Sequence, residues 1–179
     1  MLNIFDFFLD ILFFILPLFI LIFVFKIRNI KDVFKELGLK KISFKSLVKH
    51  TCILFFLIFC TSFFLSFVFS LFGFQDLSLV SKTLLSLPKT YLIYLFIVRV
   101  FFEEWFFRGF LVKRIGVILS SIIFACMHIA YGSIVEIFGA FVLGVLLGRY
   151  FQKTNNLWPN YLAHMLYNVS AFLLLYFTL

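Results

Sequence analysis

The stretch Phe102-Glu103-Glu104-Trp105-Phe106-Phe107-Arg108-Gly109 sets two adjacent carboxylates and a guanidinium into a run otherwise suited to lipid, from Tyr91–Val98 before it to Phe110–Val112 after it. Charge in hydrocarbon costs at least ~2.5 kcal/mol per residue on the most lenient insertion scale, so such residues mark a functional-site hypothesis. The rest of the chain puts that run in a membrane. Of 179 residues, 64% are hydrophobic, 22% aromatic and 13% charged, against a charged share of about 25% in soluble domains. The formal net charge of +8 would suit a nucleic-acid binder only if it formed a basic domain. The basic residues instead lie between long apolar runs, so membrane topology accounts for them and no nucleic-acid partner is expected. Cys52, Cys60 and Cys126 are odd in number, sit within apolar runs and show no paired spacing, which indicates neither a disulfide framework nor a cysteine metal site.

A crossing needs about 20 mostly apolar residues, and six candidate spans are predicted: an all-α polytopic transmembrane bundle with a polar intramembrane cavity. The first, Ile4–Phe25, carries Asp6 and Asp10 at its start and lacks the basic leader and small-residue cleavage site of a secretory signal, so it reads as an anchor. Lys26–His50 is a polar loop in which Ile30, Val33, Phe34 and Leu37 recur at helical spacing, predicting a short amphipathic helix on the lipid surface. The second span runs from Thr51 to Phe74. In the Gln75–Lys89 loop, Leu77–Leu87 is too short to cross. The third span, Thr90–Ile115, ends at the turn predicted by Gly116. The fourth is Val117–Ala130, and the fifth, Ile134–Phe151, bears Ala140, Gly144 and Gly148 every four residues, a stripe for close helix packing. A polar turn, Gln152–Leu157, leads to the sixth, Trp158–Leu179. Residues 1–89 therefore read as two spans joined by a basic loop, and residues 90–179 as a core of four spans.

Loop charge orients the bundle. Lys26–Lys49 holds eight Lys/Arg, Arg108–Arg114 adds three, and Arg149 with Lys153 adds two, whereas the opposite loops hold Lys82 and Lys89. The positive-inside rule places the basic loops in the cytoplasm of a multi-pass cell-membrane protein.

Polar residues inside the spans fall at matched depth. Glu103 lies 13 residues before Gly116 and His128 lies 12 after it, so both sit about 18–20 Å from that turn. Counted inward from Trp158, His164 and Asn168 lie about 9 and 15 Å deep, close to the same level once tilt is allowed for. Glu104 and Arg108 are i, i+4 in the favourable order and should pair. Glu103 turns about 100° away from Glu104 and reads as free to act, although Arg99, four residues earlier, is placed to pair with it. Each group has a plainer role when taken singly: Glu104 with Arg108 as a helix-stabilising pair, His128 as a packing residue bonded to a carbonyl, His164 with Asn168 as glue between helices. Together, a Glu and a His on a confined water supply a general base for attack on a carbonyl. A second His with an Asn supplies donors for the developing oxyanion.

These residues resemble the CPBP (CAAX-processing and bacteriocin-processing) family of intramembrane proteases, which includes the type II CAAX prenyl endopeptidases. The family pattern EExxxR, FxxxH and HxxxN or HxxxD is met in order by Glu103, Glu104 and Arg108, by Phe124 and His128, and by His164 and Asn168. The resemblance covers about Tyr91–Ser170. It implies an endopeptidase acting on a membrane-associated, in some members prenylated, peptide or protein. Glu103 and His128 would activate water, His164 and Asn168 would stabilise the oxyanion, and Glu104 with Arg108 would shape the site. The family is commonly labelled metallopeptidase, yet its prenyl-protease members are read as metal-free and the chain has no HExxH motif, so no cofactor or metal is expected. Membrane lipid and a membrane-associated substrate are the expected partners. Two other classes share the polar cluster: a non-catalytic immunity or scaffolding protein, and a proton-coupled carrier, which usually shows an internal repeat that this chain lacks.

Overall fold

The computed structural model describes residues 4–74 and 78–178. The start of the expected Gln75–Lys89 loop, the side chain of Asp6 and Leu179 lie outside the described residues. Among the described residues the chain is all-helical, without strands. Helix α1 (Ile4–Phe19) runs into a π-helical turn, Ile20–Val24. Helix α2 (Ile30–Glu36) is the predicted amphipathic helix, and Asn29 begins it by accepting the Lys31 amide at 3.0 Å. Most of its apolar face, however, is covered by protein, with Ile30 left exposed. Val33 and Leu37 are buried with Trp105, and the Phe34 ring lies 5.7 Å from the Trp105 ring.

Helix α3 (Phe44–Leu71) starts seven residues before the expected Thr51, capped by the Ser43 hydroxyl on the Ser46 amide. Hydropathy excludes Lys45, Lys49 and His50, whereas a helix carries such side chains at an interface with their polar ends reaching out to water. Helix α4 (Ser78–Leu85) folds the apolar loop segment. A rod then begins with α5 (Lys89–Tyr94), widens into a π segment Leu95–Arg99, narrows through α6 (Val100–Glu103) and widens again over Glu104–Leu111 before α7 (Val112–Cys126).

At Gly116 the backbone takes φ 81° and ψ 172°, outside any helix, a conformation that favours a residue without Cβ. The chain doubles back there. The Ser120 hydroxyl donates to the Phe107 carbonyl at 3.0 Å, and the Phe107 and Phe124 rings meet edge-on at 5.0 Å. Helix α7 ends at Cys126, short of the expected Ala130, because Ile129–Tyr131 tightens into a 3-10 turn before the left-handed Gly132. Helix α8 (Ile134–Thr154) opens with the Ser133 hydroxyl accepting the Glu136 amide. Helix α9 (Leu157–Thr178) follows a left-handed Asn155.

Among the described residues, four stretches are long and apolar enough to cross a bilayer: Phe7–Val24, Phe44–Leu71, Lys89–Tyr131 and Ile134–Thr154. The third is a 43-residue run that joins the expected third and fourth spans across the Gly116 reversal. Polar Asn160, His164 and Asn168 interrupt α9, the expected sixth. Exposed Phe56, Phe63, Phe64 and Phe67 on α3 complete a surface unsuited to water, and the chain is a multi-pass membrane protein.

The small-residue stripe of α8 faces α7. A Cβ on Gly144 would come 3.1 Å from the Ser121 Cβ, and one on Gly148 would come 2.9 Å from a Val117 methyl. The basic end of the bundle is stitched by the segment after α2. The Leu157 amide donates to the Gly38 carbonyl at 2.8 Å, the Asn156 amide group to the Lys40 carbonyl at 3.1 Å, and Lys113 to the Glu36 carbonyl. Arg114 adds an ion pair to the Glu36 carboxylate at 3.1 Å. Gly109 lets α2 approach, since a Cβ there would stand 2.7 Å from the Leu37 carbonyl oxygen, whereas one on Gly139 would meet nothing. Gly109→Ala should therefore lower the thermal unfolding midpoint in detergent, by the equivalent of ~1–3 kcal/mol of overpacking, while Gly139→Ala should leave it unchanged or raise it.

Candidate active site

The Glu104 carboxylate has no exposed surface. Its Oε1 lies 3.1 Å from Arg108 Nη1, one turn along the same rod, and accepts from His164 Nδ1 of α9 at 2.9 Å. Arg108, equally buried, lays its guanidinium 4.2 Å over the Phe124 ring of α7, within cation–π range. The ring of Phe124 in turn lies 4.7 Å from that of His128 and 6.1 Å from that of His164. One carboxylate, one guanidinium and one ring thus tie three helices together.

Glu103 is held differently from the reading that leaves it free. Arg99 Nε lies 3.4 Å from its Oε1, an i, i+4 pair with both side chains partly exposed. His128 sits past the end of α7, and its Nδ1 donates to the Phe124 carbonyl at 2.8 Å. A carbonyl only accepts, so in the neutral ring Nε2 carries the lone pair. In the same way His164 Nδ1–H donates to the Glu104 carboxylate, leaving Nε2 as the remaining ring nitrogen.

Glu103, His128, His164 and Asn168 all line one cavity of about 450 Å³. Glu104 and Arg108 do not line it; they lie packed behind His164 and Phe124. The structure therefore divides the six predicted residues into four at the cavity wall and two behind it. Tyr131, Glu136 and Tyr167 also reach the wall, as does Arg99. Asn160 was missed by the sequence reading: it is fully buried one turn before His164 and donates to the Leu147 carbonyl at 2.8 Å. The signal was present, since Asn160, His164 and Asn168 form a polar stripe at four-residue spacing. Among the described residues no three His, Cys, Asp or Glu side chains are grouped so as to hold a metal ion.

Residues 85–170 match the family described as Type II CAAX prenyl endopeptidase Rce1-like. The matched segment contains Glu103, Glu104, Arg108, Phe124, His128, His164 and Asn168, and runs from the end of α4 into α9. No curated protein and no solved structure matches the chain.

Removing one partner of a buried pair strands the other charge, at a cost of about 3–5 kcal/mol, whereas replacing both with apolar residues is often nearly neutral. Arg108→Leu should accordingly lower the unfolding midpoint sharply, and Glu104→Leu combined with Arg108→Leu should recover part of the loss. Thermal unfolding of the purified variants in detergent reads both effects.

Proposed function

We propose that the protein is an intramembrane endopeptidase that hydrolyses a peptide bond of a membrane-associated polypeptide. The observation that carries this reading is the meeting of Glu103 from α6, His128 from just past α7, and His164 and Asn168 from α9 at one cavity inside the segment that matches the endopeptidase family. In this proposal the six predicted spans all cross, α9 included, with the basic loops in the cytoplasm. Residues 90–179 carry the chemistry and residues 1–89 frame it.

A water molecule held between the Glu103 carboxylate and His128 Nε2 gives up a proton to that carboxylate as its oxygen attacks the scissile carbonyl carbon. The bond between water oxygen and carbonyl carbon forms, and the carbonyl electrons move onto oxygen. Asn168 donates its amide N–H to that oxyanion. His164 donates from Nε2 when its ring carries a second proton, with the Glu104 carboxylate on Nδ1 as countercharge. Collapse of the tetrahedral species breaks the C–N bond, and the proton taken from water passes to the leaving amine. Glu104 and Arg108 position His164 and touch no reacting atom. Arg99 holds the Glu103 carboxylate at the wall, so substrate and water meet a fixed acceptor in place of a mobile one.

Glu103→Ala and His128→Ala should each lower turnover of a tagged substrate library in proteoliposomes by at least ~10²-fold, the lower end of acid–base contributions. Glu103→Gln should do the same while keeping the wild-type unfolding midpoint, because its pair with Arg99 is partly exposed. Unchanged turnover in both alanine variants would remove the proposed chemistry.

A further inference from the structure

We infer that Glu136, on the first turn of α8, is a specificity-determining residue that selects polypeptides carrying a basic side chain two or three residues from the cleaved bond. The inference rests on the reading that a peptide bond is hydrolysed between Glu103, His128, His164 and Asn168, and it gives Glu136 no reacting role.

The packing of α8 sets the level of that carboxylate. Helices α7 and α8 run antiparallel, with Gly148 against Val117 and Gly144 against Ser121. One further turn on each brings Ala140 to Ala125, and another brings Glu136 close to Ile129, the residue after His128. On the other flank the Asn160 side chain donates to the Leu147 carbonyl. From that contact, antiparallel progress along α9 and α8 puts His164 level with Leu143 and Asn168 level with Gly139. Glu136 therefore stands about 10 Å along the bundle from His164 and about 5 Å from Asn168. An extended chain advances ~3.3 Å per residue, so a substrate bonded at His164 and Asn168 presents to Glu136 the side chain two or three residues away.

Glu136 is half-buried and lines the cavity, and its charge reaches the Tyr167 hydroxyl of α9. Among the described residues the wall carries one guanidinium, Arg99, and two carboxylates, Glu103 and Glu136. Arg99 pairs with Glu103 at 3.4 Å, so the wall as a whole holds more negative than positive charge. A cationic side chain drawn between Phe59, Phe63, Phe96 and Phe172 loses its hydration and is accepted only where an opposite charge replaces water. A second acid there meets like charge. Room for the stem lies beside the carboxylate: Gly139 is one turn on, at the wall, and an added Cβ there would meet nothing within 4 Å. Apolar Ala140 and Leu143 continue that strip of wall, along which the stem of a Lys or Arg can lie with its head at Glu136.

A plainer duty shares this position. The Ser133 hydroxyl accepts the Glu136 amide at 3.0 Å, and a Glu or Gln three residues after such a serine reaches back to the cap amide in a capping box. Gln serves that duty without the charge. Glu136→Gln therefore separates the start of α8 from the selection of a cation.

The test reads a preference, as a ratio, in the full chain. Tagged apolar peptides, acetylated at the amino terminus, carry lysine, acetyl-lysine or glutamate at successive positions. Turnover is read in proteoliposomes, and capture, which needs no hydrolysis, on immobilised protein bearing His128→Ala. Lysine two or three residues from the cleaved bond should be preferred over acetyl-lysine at least about tenfold, ~1.4 kcal/mol. In Glu136→Gln the ratio should fall to near unity at the wild-type unfolding midpoint, in Glu136→Asp it should persist, and in Glu136→Lys glutamate should take the place of lysine. The chain's net charge of +8 would by itself favour the acidic peptides, so a lysine preference is no general attraction. Absence of that preference in the native chain, its survival in Glu136→Gln, or its loss in Glu136→Asp would overturn the inference. Turnover indifferent to charge keeps the peptidase and sinks the selection, whereas lysine-selective capture that depends on Glu136, with no turnover of any peptide, does the reverse.

Discussion

A carboxylate without solvent is tolerable only when its neighbours replace water, and the bundle is arranged around that requirement at Glu104. Arg108 supplies charge from the same rod, and His164 supplies a hydrogen bond from α9. The second contact is reachable only where α9 converges on the rod and α7; Arg108 also rests on the Phe124 ring, and His164 lies beside that ring. Such a pair contributes little net stability against an apolar replacement. Its value lies in orientation. A His whose Nδ1 is committed to a carboxylate presents Nε2 in one direction, and that constraint fixes what His164 offers the cavity.

The same logic reaches the cytoplasmic end proposed for the basic loops. Gly109 follows Arg108 directly and admits the backbone of Leu37, whose side chain is buried in the same cluster as Trp105. The Gly38 carbonyl then receives the first amide of α9. A short strap from the N-terminal half thus sets both the rod that carries the carboxylates and the helix that carries His164. Residues outside the matched family segment therefore bear on the geometry inside it.

Much of this could be read from the sequence where the relevant contact is local. Glu104 with Arg108 follows from i, i+4 spacing, and the Gly116 reversal from a single glycine at the end of an apolar rod. Counting residues from that reversal brings Glu103 and His128 to one depth, and both line one cavity. Contacts between distant segments were not legible. Periodicity gave α2 an apolar face but could not say that Trp105 would cover it. Asp10 reads as the polar start of an anchor, yet it is buried and accepts from the Tyr94 hydroxyl at 2.6 Å. Arg99 against Glu103 was one of two open rotameric choices, and only packing decides between them. His128 looked helical because apolar residues continue to Ala130, whereas the backbone leaves the helix two residues earlier.

The placement of Arg108 on the rod that carries Glu104 also bears on how the chain enters its bilayer. Membrane helices emerge from the ribosome in order, so the Gly116 hairpin is made before α9 and the imidazole that later donates to Glu104 Oε1. With acid and guanidinium one turn apart, the hairpin reaches the insertion machinery already charge-balanced at that point and need not wait for a third helix. Had the counter-charge come from α9, the nascent segment would have carried a lone anion into lipid and favoured being left outside. Biogenesis, as much as packing, is served by keeping both charges on one turn.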